Sequence, residues 1–250
     1  MPRHHSGEDS LGLIRRAVVR LVLTGILLFV VGLVLGLALI HRHGGGPIQS
    51  WDNTVETWSI GNRGDLVGVS KFIATWLDAA PLAVIAVVLT IIWLAVGRCL
   101  RGLIPIIAYL GGEGMVFVIR EIIHRHRPPT ANYPAPHAIA GVHETSWSYP
   151  SGHAVAVSAV LFACLGAYAL AHRTWWPWLV ALLASCFVAD TRLVLGVHWF
   201  SDVGIGLLIG IPWGITVAAV GRTLPSWGFL VPHRRAAVGD AQDPAGDVYR

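Results

Sequence analysis

The sequence predicts an all-α protein that folds as a bundle of six membrane-spanning helices. Of its 250 residues, 54% are hydrophobic and only 13% are charged, which is about half the charged fraction of an ordinary soluble domain. The mean hydropathy is +0.63. Six apolar stretches are long enough, or nearly long enough, to cross a hydrocarbon layer of about 30 Å at about 1.5 Å per helical residue. These observations exclude an ordinary soluble globular domain.

The predicted spans cover residues 17–40, 72–96, 102–123, 154–171, 175–197 and 203–220. The first span follows a basic segment, but it is too long for a cleaved secretion signal and lacks a small-x-small motif before His41. It is therefore predicted to be an uncleaved anchor. The expected organisation is an N-terminal segment (1–16), a membrane domain (17–224) and a polar tail (225–250).

Between the first two spans, Trp51, Val55 and Trp58 have helical spacing. This spacing predicts a short helix that lies in the membrane interface. Simple anchoring and a role in admitting a ligand both remain open for this helix.

The distribution of basic residues predicts the orientation of the chain. With the amino terminus inside, eleven of the 18 Lys and Arg residues lie in inner segments and seven in outer segments. Basic residues are enriched on the cytoplasmic side of membrane proteins, so both termini are predicted to be cytoplasmic. Lys71 is the only lysine, which is typical of a GC-rich bacterial genome and points to an inner or plasma membrane.

The three cysteines, Cys99, Cys164 and Cys186, lie in or beside predicted spans. An odd number placed in this way gives no disulfide framework. They are predicted to be small core residues.

The first polar cluster closes the third span, in the sequence GGEGMVFVIREIIHRHRPP. Arg120 and Arg127 are seven residues apart, so a continuous helix would present both on one face, with Arg120 about 10 Å deeper along the axis. Pro128 prevents a regular helix beyond them. Arginine at that depth is costly and indicates function, although arginines at a helix end also snorkel to lipid phosphates.

The second cluster, Ser151, Gly152 and His153, opens the fourth span. Backbone N–H groups at a helix amino terminus lack intrahelical partners and carry the positive end of the helix dipole, so they bind anions. Ser151 adds a hydroxyl donor, Gly152 lets the backbone approach an anion closely, and His153 carries a proton that moves near neutral pH. The alternative is an ordinary serine cap beside an interfacial histidine.

The third cluster, Arg192, His198 and Asp202, lies in DTRLVLGVHWFSDVGIG between the fifth and sixth spans. A carboxylate that accepts a hydrogen bond from one ring nitrogen of His198 leaves the other nitrogen free as a nucleophile or base. Metal ligation by His198 and Asp202, or a simple interfacial contact, remains open from their spacing alone.

The predicted topology brings the three clusters to one membrane face, because the third span runs outward, the fourth runs inward and the fifth runs outward again. Three guanidinium groups, a helix amino terminus, a hydroxyl and two histidines form a site for a multiply charged tetrahedral anion such as phosphate.

No Asp/Glu-rich cage for magnesium accompanies them. The sequence therefore predicts no metal and no cofactor. The expected partners are the bilayer and a lipid phosphate, not a nucleic acid, and the oligomeric state is left open.

Three motifs in order, Arg120-x6-Arg127-Pro128, Pro150-Ser151-Gly152-His153 and Arg192-x5-His198-x3-Asp202, resemble the tripartite signature of the phosphatidic acid phosphatase type 2 superfamily. This superfamily includes membrane lipid phosphatases, bacterial acid phosphatases and vanadium haloperoxidases. Arg120 stands where Lys is common, and Thr191 stands where Ser is common. The resemblance implies a membrane lipid phosphatase. The number of spans and the distribution of basic residues place its active site at the outer membrane face.

The resemblance also implies a role for each residue. His198 would attack phosphorus to form a phosphohistidine while Asp202 orients it, and His153 would protonate the leaving group and then activate water. The phosphate oxygens would be held by Arg120, Arg127, Ser151, the Gly152 N–H and Arg192. The implied substrates are phosphatidic acid, phosphatidylglycerol phosphate or a polyprenyl diphosphate.

Several neighbouring residues have less certain roles. Glu113, seven residues before Arg120, either pairs with it or makes an unrelated interhelical contact, and Asp190 is a candidate partner of Arg192. Asp78 has no assigned role. Four histidines are expected to be interfacial or loop residues rather than ligands: His124, His126, His137 and His143.

Two other functions compete with a lipid phosphatase. One is a vanadate-dependent haloperoxidase, because vanadate fits the same anion site, although six spans argue against it. The other is an anion or lipid-phosphate transporter, whose binding site is expected near the midplane between repeats. The sequence contains no internal repeat.

Overall fold

The computed structural model describes residues 7–40, 46–97 and 100–224. That part of the chain contains eight α-helices and no strand. The helices are α1 (Gly7–Leu39), α2 (Gln49–Asn62), α3 (Leu66–Trp76), α4 (Ala79–Gly97), α5 (Ile104–Ile123), α6 (Gly152–His172), α7 (Trp176–Val194) and α8 (Phe200–Gly221). Two short 3-10 turns cover Leu100–Leu103 and Pro129–Ala131. The predicted all-α class is confirmed.

Six helical segments are long and apolar enough to cross a membrane: Leu11–Leu39, Ala79–Gly97, Leu100–Ile123, Gly152–His172, Trp176–Val194 and Phe200–Gly221. Each one overlaps a predicted span. The expected helix around Trp51 to Trp58 is also present, as α2. The chain is therefore a multi-pass membrane protein built on the predicted architecture.

The prediction that the second span begins at residue 72 is wrong. The helix α3 ends at Trp76 and α4 begins at Ala79. Leu77 leaves helical geometry, with φ −113° and ψ 15°, while its N–H closes the end of α3 by donating to the Ile73 carbonyl at 2.9 Å. Because the residues before and after this break are both apolar, hydropathy alone merges the two helices.

The prediction that one helix carries both Arg120 and Arg127 is also wrong. The helix α5 ends at Ile123, and His124 adopts the left-handed conformation with φ 52°. Arg127 therefore lies in the segment that follows the helix. The expected depth of about 10 Å between the two arginines assumed a continuous helix at about 1.5 Å per residue, so it does not apply.

The helix α6 forms the centre of the bundle. It contacts α4, α5, α7 and α8, and every residue from Ser151 to Val160 is buried. The close partner is α8, on which Gly206, Gly210 and Gly214 face α6: a Cβ on Gly214 would lie 2.5 Å from the Ala159 carbonyl oxygen. This close packing holds the beginnings of both helices, and thus the second and third clusters, at the same end of the bundle.

The helix α1 packs against this centre through small residues. A Cβ on Gly36 would lie 2.9 Å from Ile123 Cδ1, and the Tyr149 hydroxyl donates to the Gly32 carbonyl at 2.6 Å. On the opposite side of α1, Leu23 and Leu27 are more than 60% exposed. Such exposure on a helix of this length and hydropathy fits contact with lipid chains.

The prediction that the cysteines are core residues is wrong for one of them. Cys164 is half-buried, whereas Cys186 is exposed because α7 turns that side away from the bundle; both are free thiols. Several other predictions concern residues outside the described part of the chain. These are Cys99, the basic residues Arg3, Arg42, Arg98, Arg234, Arg235 and Arg250, and the polar tail from residue 225.

Candidate active site

Six of the eight residues predicted for the site line one cavity of about 60 Å³: Arg120, Arg127, Gly152, His153, Arg192 and His198. The cavity lies where the end of α5 meets the beginning of α6, the end of α7 and the turn between α7 and α8. A single water needs only about 10–15 Å³ measured in this way, so a small anion can enter. The structure thus brings the three sequence clusters together at one end of the bundle.

Ser151 and Asp202, the other two predicted residues, do not line this cavity. Both are fully buried, at 0% exposed, and the Ser151 N–H donates to the Asp202 carbonyl at 3.1 Å. This backbone contact joins the beginnings of α6 and α8.

The proton on His198 can be assigned from its neighbours. Arg127 Nη1 lies 3.0 Å from His198 Nε2, and a guanidinium can only donate. Nε2 is therefore the unprotonated acceptor, and the ring proton is on Nδ1, which lies 3.4 Å from Asp202 Oδ2. Burial lowers the pKa of His198 well below its ordinary value, and the charge on Arg127 lowers it further. His198 is therefore a neutral imidazole that lines the cavity, with its Nε2 lone pair facing Arg127.

Asp202 holds its position through several donors. Its Oδ2 accepts the Trp199 N–H at 3.0 Å and the Ser148 hydroxyl, and its Oδ1 accepts Arg125 Nη1 at 2.6 Å. The Trp199 contact also caps the first turn of α8. The Asp202 side chain thus caps the beginning of α8 and also lies next to His198.

The turn that carries His198 depends on a glycine. Gly196 has φ +67°, a conformation that favours glycine. A Cβ at this position would lie 2.5 Å from Thr130 Oγ1, and that hydroxyl donates to the Gly196 carbonyl at 2.8 Å. The segment that follows α5 therefore fixes the turn between α7 and α8.

Arg127 is anchored although it lies beyond α5. Its Nε donates to the Ser146 carbonyl at 2.8 Å, its Nη1 donates to the Val197 carbonyl at 2.8 Å, and its Nη2 donates to the Ser146 hydroxyl at 3.0 Å. Burial lowers the pKa of Arg127 to about 10, although the nearby Glu144 opposes this shift. The guanidinium is therefore charged at neutral pH and held by the loop on one side and by the His198 turn on the other.

A carboxylate bridges two of the three arginines. Glu144 Oε1 accepts Arg192 Nη2 at 2.6 Å, and Glu144 Oε2 lies 3.3 Å from Arg127 Nη2. Arg192 Nε and Nη1 are buried and have no hydrogen-bond partner among the described residues. Buried donors are normally paired, so Arg192 can donate to more acceptor oxygens than Glu144 supplies.

Arg120 and the amino terminus of α6 form the opposite wall. Arg120 Nε donates to the Pro150 carbonyl at 3.2 Å, and a Cβ on Gly152 would lie 3.3 Å from Arg120 Nη2. The Ser151 hydroxyl makes no capping bond to α6 and is buried without a partner in the described structure. Ser151 is therefore not the ordinary serine cap that the sequence left open.

His153 contacts the α3 helix. Its Nε2 lies 3.2 Å from the Ala74 carbonyl oxygen, and because a carbonyl can only accept, Nε2 carries the proton. His153 also lines a second cavity of about 370 Å³, which shares Asp78, Glu144 and Arg192 with the first cavity. His153 thus stands between a small cavity lined by arginines and a larger neighbouring one.

The two acidic residues predicted as arginine partners, Asp190 and Glu113, lie in different places. Asp190 is exposed on α7, and within the described residues Arg192 pairs with Glu144 instead. The predicted Asp190–Arg192 pair is therefore wrong. Glu113 lines the cavity together with Arg120, but no ion pair joins them in the described part of the chain.

Residues that the sequence did not indicate lie in the segment between α5 and α6. Glu144, Ser146 and Ser148 contact the predicted residues directly. This segment has no regular helix or strand, so its side-chain directions follow no period that a sequence shows. For Arg125 a signal was present, since it lies two residues before Arg127 in a basic run.

The four histidines that were expected to lie in loops do so. His124 and His126 stack edge-on against Trp147, at 4.9 and 5.3 Å between ring centroids, His137 is exposed, and His143 lines the second cavity. Over the ranges described, no group of three His, Cys, Asp or Glu side chains is arranged to hold a metal ion.

Comparison with known proteins gives one curated relative and one solved structure. The relative is an undecaprenyl-diphosphatase from Sulfolobus acidocaldarius, 33% identical over 106 residues, which is 42% of this chain. The match spans 46% of that relative's length, less than half of it. The structure is a transmembrane PAP2-type phosphatidylglycerolphosphate phosphatase from Bacillus subtilis, with a TM-score of 0.66 and 22% identity over 81% of this chain and 98% of that one.

The structural likeness shows that the two proteins share a fold. The sequence model of the PAP2 superfamily matches residues 101–225, half of the chain, and this region includes all eight residues predicted for the site. The three motifs, the helical bundle and this match agree, and the chain belongs to the PAP2 superfamily.

Proposed function

We propose that this protein is a membrane lipid phosphatase that removes the terminal phosphate of a lipid phosphate or diphosphate through a phosphohistidine at His198. One observation carries the proposal. The buried His198, whose Nε2 is unprotonated, lines a cavity whose walls also hold three guanidinium groups. A nucleophile placed among donors suits phosphoryl transfer, in which catalysis depends on positioning and on stabilising charge.

In the first step, Arg127 Nη1 turns from His198 Nε2 to a phosphate oxygen. The freed Nε2 lone pair forms a bond to phosphorus, and the bond from phosphorus to the leaving oxygen breaks. The proton on Nδ1 stays between His198 and Asp202, so the ring is held while it gains positive character. The equatorial oxygens are stabilised by Arg120, Arg127, Arg192, the Ser151 hydroxyl and the Gly152 N–H. The unpaired Arg192 and Ser151 donors support this assignment.

His153 protonates the leaving oxygen as the first step proceeds. It enters this step as an imidazolium, gives its Nε2 proton to the leaving oxygen, which replaces the Ala74 carbonyl as the acceptor, and becomes a neutral imidazole. The larger cavity on the other side of His153 gives the leaving group a place to lie. In the second step, His153 accepts a proton from water, the water oxygen attacks phosphorus, and the bond to His198 breaks. Inorganic phosphate is released, and neutral His198 and the imidazolium of His153 are restored.

The names of the similar proteins support a lipid substrate. One is an undecaprenyl-diphosphatase and the other a phosphatidylglycerolphosphate phosphatase, and phosphatidic acid presents the same kind of terminal phosphate. A substrate whose chain stays in the bilayer avoids the free-energy cost of exposing that chain to water, about 0.8 kcal/mol per CH₂. The proposed unit is the membrane domain of residues 17–224, with its site at the outer face of an inner or plasma membrane and both termini cytoplasmic.

A transporter is less well supported by this arrangement. Its binding site is expected near the middle of the membrane between repeated units. The cavity-lining motif residues lie instead at one end of the bundle, near the ends of α5 and α7 and the beginnings of α6 and α8. A vanadate-dependent haloperoxidase shares the anion site, and halide oxidation assays distinguish it.

The experiment is a turnover panel with purified protein in mixed micelles. We expect kcat/KM for a long-chain prenyl diphosphate, phosphatidic acid or phosphatidylglycerol phosphate to exceed that for a small soluble phosphomonoester by at least about 100-fold, equivalent to about 2.7 kcal/mol. Equal values at matched bulk and surface concentrations would show that the membrane anchors the enzyme without delivering its substrate.

Two controls test the chemistry in the same assay. His198→Ala should abolish turnover and trapped phosphoenzyme, whereas His153→Ala should slow poor leaving groups most. Activity should survive EDTA, because the arginines supply the positive charge. Radiolabelled phosphohistidine from the His198→Ala protein, or rescue of EDTA-treated enzyme by magnesium, would contradict this mechanism.

A further inference from the structure

Beyond the residues of the three motifs, we propose that Asp52 of α2 and Arg125 are positioning residues that hold the Asp202 carboxylate in its catalytic orientation toward His198. This inference rests on the proposed function, because it assigns the support of the proposed nucleophile. None of the three sequence motifs contains Asp52, and Arg125 occupies an unspecified position within the first motif.

The geometry is a buried chain of charges. Arg125 Nη2 lies 2.5 Å from Asp52 Oδ2, and Arg125 Nη1 lies 2.6 Å from Asp202 Oδ1. Arg125 is 2% exposed, while Asp52 and Asp202 are at 0%. Burying three charges is costly unless each is paired and hydrogen-bonded, and here one guanidinium joins two carboxylates.

Ser201 completes the cluster and ties it to α8. Its backbone N–H donates to Asp52 Oδ1 at 2.8 Å, and its hydroxyl donates to Asp52 Oδ2 at 2.7 Å. The same hydroxyl oxygen accepts Arg125 Nη1 at 2.7 Å. Asp52 therefore receives donors from Arg125 and from the first turn of α8, one residue before Asp202.

The charges have a consequence for His198. A guanidinium that paired with Asp202 alone would weaken the attraction between the Asp202 carboxylate and the His198 Nδ1 proton. Asp52, on the other side of Arg125, offsets this effect, and the charges of Asp52, Arg125 and Asp202 sum to −1 behind the imidazole. That charge favours the positive character that His198 gains when Nε2 bonds to phosphorus.

The location of Asp52 links α2 to the active site. Its neighbours Trp51 and Trp58 on α2 are 66% and 64% exposed, whereas Asp52 points inward and is buried. The helix that the sequence predicts to lie in the membrane interface thus also supplies an internal charge to the site. Asp52 itself does not line the cavity, so it acts through Arg125 and Asp202 and not on substrate.

The test uses the full-length protein in mixed micelles with the prenyl diphosphate substrate. Asp52→Asn removes the charge and keeps the size of the side chain. We expect kcat and the rate of phosphoenzyme formation to fall by roughly 10-fold or more, while KM and the inhibition constant of inorganic phosphate stay within about 2-fold because the three cavity arginines are unchanged. Ser201→Ala, which keeps all charges, should reduce kcat less but in the same direction.

The matched control is Asp65→Asn, which makes the same exchange at an exposed residue just before α3, where the side chain makes no capping hydrogen bond. It should keep kcat within about 2-fold of the unchanged protein. The positioning role is overturned if Asp52→Asn has the kcat of Asp65→Asn, or if it loses phosphate affinity in proportion to kcat, as partial unfolding would. Should Asp52→Asn not fold, an unchanged kcat in a folded Ser201→Ala protein overturns the role. Absence of lipid phosphatase turnover in the unchanged protein overturns the proposed function and this role together.

Discussion

At the scale of single residues, the protonation of His198 follows from two contacts. Arg127 can only donate to Nε2, and the Asp202 carboxylate can only accept from Nδ1. The ring is therefore held in the tautomer that makes Nε2 a nucleophile. The sequence predicted the pairing of His198 with Asp202 from their spacing, but it did not indicate that an arginine occupies the lone pair before substrate binds.

The pKa shifts of His198 and Arg127 predict how activity and phosphate binding depend on pH. The pKa of His198 is lowered mainly by burial, so the neutral nucleophile persists as pH falls through the ordinary value of about 6.5. The pKa of Arg127 is about 10, so its charge is lost as pH rises through that value. We expect kcat/KM, corrected for the ionisation of the substrate, to show no loss on the acid side near pH 6.5 and phosphate inhibition to weaken near pH 10. Loss of half the corrected activity near pH 6.5 would contradict the assignment.

Glu144 offers its carboxylate to two of the cavity arginines, which gives a second prediction. Its carboxylate pairs with Arg192 and Arg127, and phosphate must displace or repel it. Glu144→Gln should therefore tighten inhibition by inorganic phosphate by roughly 10-fold, since hydrogen bonds to charged groups contribute about 1.5–3 kcal/mol. The control is Glu121→Gln, whose carboxylate is exposed and lies 3.8 Å from His124. An unchanged or weaker inhibition constant would show that Glu144 does not compete with phosphate.

At the scale of helices, the active site depends on how closely α8 approaches α6. Glycines on α8 leave no side chain between the two backbones, so the turn before α8 can bring His198 to the amino terminus of α6. A Cβ added at Gly210 would lie against the Val155 carbonyl, and one added at Gly214 would lie against the Ala159 carbonyl. Small residues at such contacts are common in membrane helix pairs because they let backbones approach.

Substitution of one of these glycines tests the contact. In Gly214→Ala the new Cβ would lie 2.5 Å from the Ala159 oxygen and 3.1 Å from Ala163 N, so the helices must separate. We expect a loss of about 1–3 kcal/mol in stability, measured as a lower midpoint of thermal unfolding in detergent. The control is Gly204→Ala on the same helix, where nothing lies within 4 Å of the new Cβ and stability should stay the same or rise slightly. Equal midpoints for the two variants would contradict a tight contact.

At the scale of the whole molecule, the two ends of the bundle differ. One end holds the arginines, histidines and the α2–α3 pair, and the other holds the turn between α6 and α7 and the beginning of α5. With eleven of 18 basic residues on the side of the termini, the orientation rule predicts that the active site faces away from the cytoplasm.

Cysteine labelling in intact cells tests this orientation. In a background with Cys99, Cys164 and Cys186 replaced by Ala, the exposed Ala140 near the site is changed to Cys. It should react with a membrane-impermeant thiol reagent before lysis. A cysteine in place of the exposed His172, at the other end of the bundle, should react only after lysis. The reverse pattern would invert the topology.

The sequence by itself determined the fold class, the six spans and the residues of the three motifs. Each of these depends on local properties: the hydropathy of a long run, the period of a helix and the spacing of side chains along a few turns. It misplaced the beginning of α4, because the segments before and after Leu77 are both apolar. It also placed Arg127 on α5, although α5 ends at Ile123, the last residue of the predicted span.

The tertiary structure alone decided which groups meet around His198. Glu144 and Ser148 come from an irregular segment, and Asp52 is separated from Arg125 by 73 positions. Such contacts are set by how helices far apart in sequence pack, and no local period records them. Burial then gives these contacts their strength, since charges in a water-poor interior must be paired and interact more strongly than at the surface.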